Sequence, residues 1–191
     1  VDALRLQVEP GEIFGFLGPN GAGKTTTIRL LMGMLVPTAG SARIHGLDCH
    51  AQRVAVKRRV GYLPDTPAFH DYLRGEEILR FVGQMHGLPR AELMKRVPEL
   101  LAQWGLGDVA AEFAANYSGG MKRKLALACA QVHRPDVFIL DEPTNGLDPI
   151  AAREVQNWIL ASAQAGKTVF LSTHLLDMAE KLCRRVGIIH R

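Results

Sequence analysis

Gly18-Pro19-Asn20-Gly21-Ala22-Gly23-Lys24-Thr25 is the stretch that decides the fold. It follows the apolar run Ile13-Phe14-Gly15-Phe16-Leu17 and opens a segment, Thr26 to Leu35, in which apolar residues recur at helical spacing. Gly18, Gly23, Lys24 and Thr25 fit the phosphate-loop pattern G-x-x-x-x-G-K-[ST], and a strand before and a helix after are the context that pattern requires. Its glycines let the backbone curl so that successive N–H groups converge on an anion, and the helix start adds the positive end of its dipole. Lys24 can reach the β- and γ-phosphates, and the Thr25 hydroxyl can ligate Mg²⁺. An ordinary glycine-rich turn has no need of all these features together. The octet implies a chain that binds a nucleoside triphosphate.

The bulk composition narrows the setting. A chain of 191 residues can bury the core of one sizeable domain. A hydrophobic share of 47% and a charged share of 22% exclude a disordered or fibrous class. The net charge of +4 is modest, and a phosphate loop already accounts for some positive field, so no nucleic-acid partner is expected. The clusters Lys57-Arg58-Arg59, Lys122-Arg123-Lys124 and Arg184-Arg185 stand at helical positions and read as solvated faces. Cys49, Cys129 and Cys183 are odd in number, far apart and without a C-x-x-C pair, which fits free thiols in a reducing compartment better than a metal site. No apolar run approaches the ~20 residues of a membrane span, and no signal-peptide pattern opens the chain. It starts at Val1 almost directly on a core strand and closes on another, Val186 to Ile189, so it reads as a fragment trimmed at both ends.

Along the chain, residues 1–17 give strand-like runs split by the turn Pro10-Gly11. Ile28, Leu31, Met32 and Leu35 then form one helical face that Pro37-Thr38-Ala39-Gly40 stops. Ser41 to His45 alternates as a short strand, Ala51 to Arg59 is helical, and Val60-Gly61-Tyr62-Leu63-Pro64 is a strand ended by proline. From about residue 67 to 130 helix follows helix. Ile78, Phe81, Val82 and Met85 make one face, and Ala91 to Trp104 another, with Pro98 expected to kink or divide it. That stretch is a helical insertion in an alternating α/β chain, between core segments 1–66 and 131–191. Val137-Phe138-Ile139-Leu140 is wholly apolar, as a buried parallel strand should be. Asp148-Pro149 reads as an N-cap followed by proline at the first helical position. Val155, Trp158 and Ile159 line that helix's inner face, and Gly166 closes it. Thr168 to Ser172, Leu175 to Cys183 and Val186 to Ile189 complete the pattern as strand, helix and strand. The fold class is α/β: a phosphate-loop nucleoside triphosphatase (P-loop NTPase) with a mostly parallel sheet flanked by helices, plus the helical insertion.

Asp141 and Glu142 come straight after the apolar strand. A carboxylate at the end of a buried strand beside a phosphate loop is placed to hold Mg²⁺, directly or through water. The adjacent Glu142 can orient and deprotonate an attacking water. Tyr117-Ser118-Gly119-Gly120-Met121 precedes another helix; alone it is a capping turn.

In order, these motifs resemble the ATP-binding cassette (ABC) family. The phosphate loop, the helical insertion, Ser118-Gly119-Gly120, Asp141-Glu142-Pro143-Thr144, the turn Asn145 to Pro149, and Ser172-Thr173-His174 match that family in order and spacing over essentially the whole chain. The resemblance implies an ATPase with ATP and Mg²⁺ as ligands. Gly18, Pro19, Asn20, Gly21, Ala22, Gly23, Lys24, Thr25 and Thr26 would be its Walker A loop, Asp141 the Walker B acid, Glu142 the general base and His174 the switch histidine near the γ-phosphate. Ser118, Gly119 and Gly120 would be the signature motif, which in that family contacts ATP held by a second, facing subunit. Asp148 would belong to the loop that communicates across the dimer. The implied partners are a membrane permease and a second ATP-binding subunit, at the cytoplasmic face of a membrane.

Three departures qualify the resemblance. The family's usual glutamine after the Val60–Pro64 strand is Asp65, whose contacts to Mg²⁺ and water would run through a carboxylate. An acid there is similar to the branch of antibiotic, drug and haem-type exporters with two-part permeases. The signature reads Tyr-Ser-Gly-Gly-Met, not Leu-Ser-Gly-Gly-Gln, and the aromatic residue that stacks on adenine would lie upstream of Val1. Rival readings within the superfamily are a DNA-repair or chromosome-structuring ATPase and a ribosome-acting translation factor. The first interrupts the chain with a long coiled coil, yet roughly fifty residues separate Asp65 from Ser118, without sustained heptads. The second carries two cassettes in one chain. A binding module without catalysis is opposed by Glu142.

Overall fold

Most segments of the sheet are short apolar runs that satisfy their backbone only by pairing with another. The computed structural model describes residues 3–190. In chain order β1 (Ile13–Leu17), β4 (Val60–Leu63), β5 (Val137–Asp141), β6 (Thr168–Thr173) and β7 (Arg185–Ile188) form one sheet, while β2 (Arg43–Ile44) and β3 (Leu47–Asp48) make a small antiparallel hairpin. The main sheet runs in the order β4-β5-β6-β1-β7, and every neighbouring pair in it is parallel. Its central strands are buried on both faces, which is why they read as continuous apolar runs rather than alternating ones.

Successive side chains point to opposite sides of a strand, and two separate cores follow. Phe14, Phe16, Val60, Val137, Ile139 and Phe170 face one side, where they meet Ile28 of α1 (Lys24–Leu31), Met32, Cys49 and Val56 of α2 (Arg53–Lys57). Ile13, Leu63, Phe138, Leu140, Val169 and Leu171 face the other. There they pack with residues of α3 (Gly75–Met85), α4 (Arg90–Gln103), α5 (Gly119–Gln131), α6 (Pro149–Gln164) and α7 (Leu176–Leu182). The helical stretch thus shares one continuous core with the sheet. Trp158 of α6 stands edge-on to both Trp104 and Phe138 and knits that core across the elements. Gly61 explains itself by a close approach: a Cβ there would meet the Ala130 carbonyl at 2.2 Å and the Phe138 ring at 2.8 Å.

Several boundaries and faces differ from the sequence reading. Among the described residues no strand precedes Ile13, and positions 1 and 2 of the expected 1–17 strand region lie outside them. The first helix ends at Leu31 rather than Leu35, because Gly33 takes a left-handed conformation (φ 61°) against the Cys49 carbonyl. The strand expected over Ser41 to His45 is only the two residues of β2. α4 runs undivided through Pro98, with Val97, Leu100 and Leu101 buried around it; packing outweighs the hydrogen bond the proline removes. On α3 the expected face is rotated. Ile78, Leu79 and Gly83 are buried, whereas Phe81 and Met85 are 51% and 72% exposed. Gly83 sets this phase by seating Leu93 of α4 where any side chain would collide.

Candidate active site

Parallel strands end together, and the loops at their carboxyl ends are where such sheets present chemistry. The Gly18–Gly23 loop joins β1 to α1. Gly18 N–H donates to the Thr173 carbonyl at the end of β6, and Ala22 N–H donates back to Pro19. Gly23, at φ 108°, is the N-cap of α1, and no side chain caps that helix. Its first amides are therefore left to an outside acceptor, the arrangement that suits a phosphate. The Lys24 side chain is buried; its Nζ donates to the Gly18 carbonyl at 2.6 Å and the Pro19 carbonyl at 3.3 Å. The same ammonium lies 3.4 Å from Glu142 Oε1.

The acid pair is held from the neighbouring strand. Asp141 is fully buried at the end of β5 and stands in register with Ser172 of β6. Ser172 Oγ donates to Asp141 Oδ1, and Thr25 Oγ1 donates to Oδ2 at 2.8 Å. Two hard oxygen donors, the Thr25 hydroxyl and the Asp141 carboxylate, thus touch at the start of α1, a donor set that fits Mg²⁺. Glu142 turns sharply out of the strand at φ 49°, a conformation that non-glycine residues rarely take. Its N–H donates to the Ser172 carbonyl at 3.2 Å and lies 3.3 Å from Ser172 Oγ. Its carboxylate lies between two side chains, Oε1 facing the Lys24 ammonium without a hydrogen bond and Oε2 lying 3.0 Å from His174 Nδ1.

Asp65 follows β4 at the rim of the same cleft. Its Oδ1 accepts from Asn145 Nδ2 at 3.3 Å and lies 4.0 Å from an Arg123 guanidinium nitrogen. The cleft itself, of about 160 Å³, is lined by Asn20, Gly21, Gly23, Lys24, Thr25, Thr26, Asp65, Asp141 and Glu142. Most of the phosphate loop, both acids and Asp65 converge there, while Gly18, Pro19 and Ala22 are not part of the lining.

A profile of the family described as ABC transporter matches residues 1–145. The chain belongs to the ABC transporter family. It is 41% identical over 189 residues to the daunorubicin/doxorubicin resistance ATP-binding protein DrrA of Streptomyces peucetius, covering 99% of this chain and 57% of that protein. It is 40% identical over 191 residues to the bacitracin transport ATP-binding protein BcrA of Bacillus licheniformis, covering 61% of that protein. The chain therefore spans about three fifths of the length of these two relatives. A solved ATP-binding subunit of an ABC transporter superposes with a TM-score of 0.89 at 36% identity, over 97% of this chain and 77% of that one. A dimeric ATP-binding cassette in a post-hydrolysis state bound to ADP and phosphate shares the fold, with a TM-score of 0.87 at 23% identity over 97% of this chain and 86% of that one. These relatives do not favour a translation factor or a DNA-repair ATPase.

Not every residue this ABC domain was expected to use reaches the cleft. Ser118, Gly119, Gly120 and Asp148 are absent from its lining, and His174 meets Glu142 without lining it. Ser118 is the N-cap of α5, its Oγ accepting from Met121 N–H, and Asp148 caps α6 by accepting from Ile150 and Ala151. Those two amides hold the Asp148 carboxyl below its ordinary pKa. A Cβ on Gly119 would meet nothing within 4 Å, and one on Gly120 only ordinary contact with Leu147. The chain's own packing therefore does not require glycine at either position.

Two contributors went unrecognised in the sequence. Ser172, which orients both acids, ends its strand in the quoted Ser172-Thr173-His174, but nothing local marks its hydroxyl as functional. Arg123 was read as part of a solvated basic face, yet its side chain is buried. Burial lowers its pKa, and the carboxylates of Asp65, Glu142 and Asp141 act in the opposite sense. Its neighbour Lys124 behaves as expected, pairing with Glu154 at the surface. The three cysteines are free thiols, and burial pushes Cys49 up to about 11, Cys129 to about 12 and Cys183 to about 11. No described helix is long and apolar enough to cross a membrane.

Proposed function

We propose that this chain is the ATP-hydrolysing part of an ABC exporter, closing with a second copy over ATP to drive substrate movement through a separate membrane permease. The observation that carries the reading is the Glu142 carboxylate, suspended between Lys24 and His174 at the mouth of a phosphate loop. In this reading the Gly18–Gly23 amides and Lys24 bind the phosphates, and Thr26 lies beside them at the cleft. Thr25 and Asp141 hold Mg²⁺, with Asp65 within reach of it; the ion, when bound, neutralises charge developing on the phosphates. Glu142 accepts the proton of the attacking water, and His174 fixes that carboxylate's orientation near the γ-phosphate. Ser172 keeps Asp141 from rotating away by occupying its second oxygen.

The second copy enters through Ser118-Gly119-Gly120. A helix start with open glycine amides suits a phosphate, and it lies away from this chain's own cleft, so it would complete the partner's. Asp148 would sit at the same seam. Burying ATP between two subunits excludes bulk water from the reacting atoms. Export, a membrane permease and a position at the cytoplasmic face rest on the drug-resistance and transport names of the relatives and on the acid at Asp65. The helical stretch 67–130, between core segments 1–66 and 131–191, would meet the permease.

Glu142→Gln tests the reading. Turnover should fall far more than tenfold while ATP stays bound, because the amide keeps the shape but cannot take the proton. Tenfold in rate is ~1.4 kcal/mol, and a loss smaller than that would remove Glu142 as general base.

A further inference from the structure

Arg123 lies one turn into α5, just after Ser118-Gly119-Gly120, and its side chain is 8% exposed. A buried guanidinium usually meets a carboxylate at hydrogen-bond distance. Here the nearest carboxylate contact, to Asp65 Oδ1, is 4.0 Å, too long for one. What the guanidinium does reach are two main-chain carbonyls. One nitrogen donates to the Glu142 carbonyl at 2.7 Å, the other to the Asp65 carbonyl at 2.5 Å. Those residues bracket the cleft from different strands: Glu142 leaves β5 and Asp65 leaves β4.

The first of these contacts falls on a residue in an unusual state. Glu142 holds φ 49°, and its main chain is kept there by Ser172 on the N–H side and by Arg123 together with Asn145 N–H on the carbonyl side. Such conformations persist only where the surroundings over-determine them. Without the guanidinium the Glu142 carbonyl loses its charged donor and keeps only the turn hydrogen bond from Asn145 N–H at 3.1 Å, so the peptide is held less firmly against rotation toward an ordinary strand conformation. That rotation would swing the carboxylate off the line between Lys24 and His174.

We infer that Arg123 is a positioning residue for hydrolysis: by clasping the Glu142 and Asp65 carbonyls together it holds the Glu142 carboxylate in the geometry that takes the water's proton, and it ties that geometry to the helix that begins with Ser118-Gly119-Gly120. The inference rests on the proposed role of Glu142 as base. It makes α5 a lever: a shift of this helix pulls on the main chain of Glu142 directly, without passing through the nucleotide. A planar fork is needed to reach two carbonyls at once, and a lysine ammonium on a flexible stem replaces that fork poorly.

The experiment compares Arg123→Met, Arg123→Lys, Glu142→Gln and the Arg123→Met/Glu142→Gln pair in the full-length protein. It reads kcat and KM for ATP, and ATP binding. Arg123→Met should lower kcat at least fivefold with KM and ATP binding within twofold of the parent, and Arg123→Lys should fall between the two. Because Arg123 acts through Glu142, the double variant should be no slower than Glu142→Gln alone. A kcat for Arg123→Met within fivefold of the parent overturns the inference. So does a loss matched by a rise in KM, or a further drop in the double variant, since a merely structural arginine would give those. If Arg123→Met does not fold, Arg123→Lys decides: a kcat at least twofold down at unchanged KM supports the clasp, and an unchanged kcat overturns it. If Glu142→Gln itself keeps turnover within tenfold, it is the base assignment that falls, whichever way the Arg123 variants behave.

Discussion

Lys24 shows how much one side chain carries in the cleft. Its ammonium is buried among the Gly18 and Pro19 carbonyls and the Glu142 carboxylate, so it shapes the loop and, in the proposed function, would supply positive charge to a triphosphate. Hydrogen bonds to charged groups are worth about 1.5–3 kcal/mol. Lys24→Ala should therefore weaken ATP binding by roughly tenfold to a hundredfold, measured by titration with a fluorescent nucleotide; unchanged affinity would contradict the phosphate contact. At this scale the sequence was legible wherever function rests on neighbours in the chain. Lys24, Thr25, Asp141 and Glu142 are readable because the loop, the strand end and their spacing are local. Arg123 was not, because three consecutive basic residues on a helix give no sign of which one turns inward. Only the packing of α5 on the β4 and β5 ends selects it.

At the scale of elements, a stacked histidine pair joins the residues that follow α3 and α5, and one of the two rings reaches β4. The His86 and His133 rings lie 3.6 Å apart and 9° from parallel, and His133 Nε2 lies 3.1 Å from the Val60 carbonyl. With Nε2 donating to Val60, the buried Nδ1 has no hydrogen-bond partner, so a second proton would have no acceptor. Burial, reinforced by His86, pulls His133 down to about 4, and burial together with Arg58 lowers His86 as well. Between pH 6.5 and about 4 the unfolded chain binds the protons that the folded chain refuses. The stability these histidines contribute is fully present above pH 6.5 and is lost as pH falls through that window. The melting temperature should drop there, and His133→Phe, which keeps a ring in the stack and cannot titrate, should flatten the profile. Equal slopes in the two proteins would assign the acid loss to other groups. The pair joins residues far apart in the sequence, so no local pattern announced it. The phase of α3 was hidden for a similar reason: Ile78, Leu79, Phe81, Val82 and Met85 allow two faces, and Gly83 against Leu93 chooses between them.

For the whole molecule the proposed function implies a site divided between copies. The cleft holds the loop and the acids, while Ser118-Gly119-Gly120 opens elsewhere on the surface with no packing demand for its glycines. A single copy should bind ATP and hydrolyse it poorly. Ser118→Arg and Lys24→Ala variants should each be inactive alone, yet their mixed dimer should regain activity at the one composite site that keeps both intact parts. An inactive mixed dimer would rule out the shared site.

The sequence by itself determined the class of fold, the phosphate loop, the acid pair and the order of motifs that mark the ABC family. Those features are written in short-range spacing, apolar runs and glycine placement. The tertiary structure alone decided that Ser172 contacts both acids, that Glu142 hangs between Lys24 and His174, and that Arg123 leaves the surface to clasp two carbonyls. Each of those contacts joins strands and helices whose separation along the chain carries no record of their meeting. They exist because the parallel order β4-β5-β6-β1-β7 brings four loop ends to one edge of the sheet.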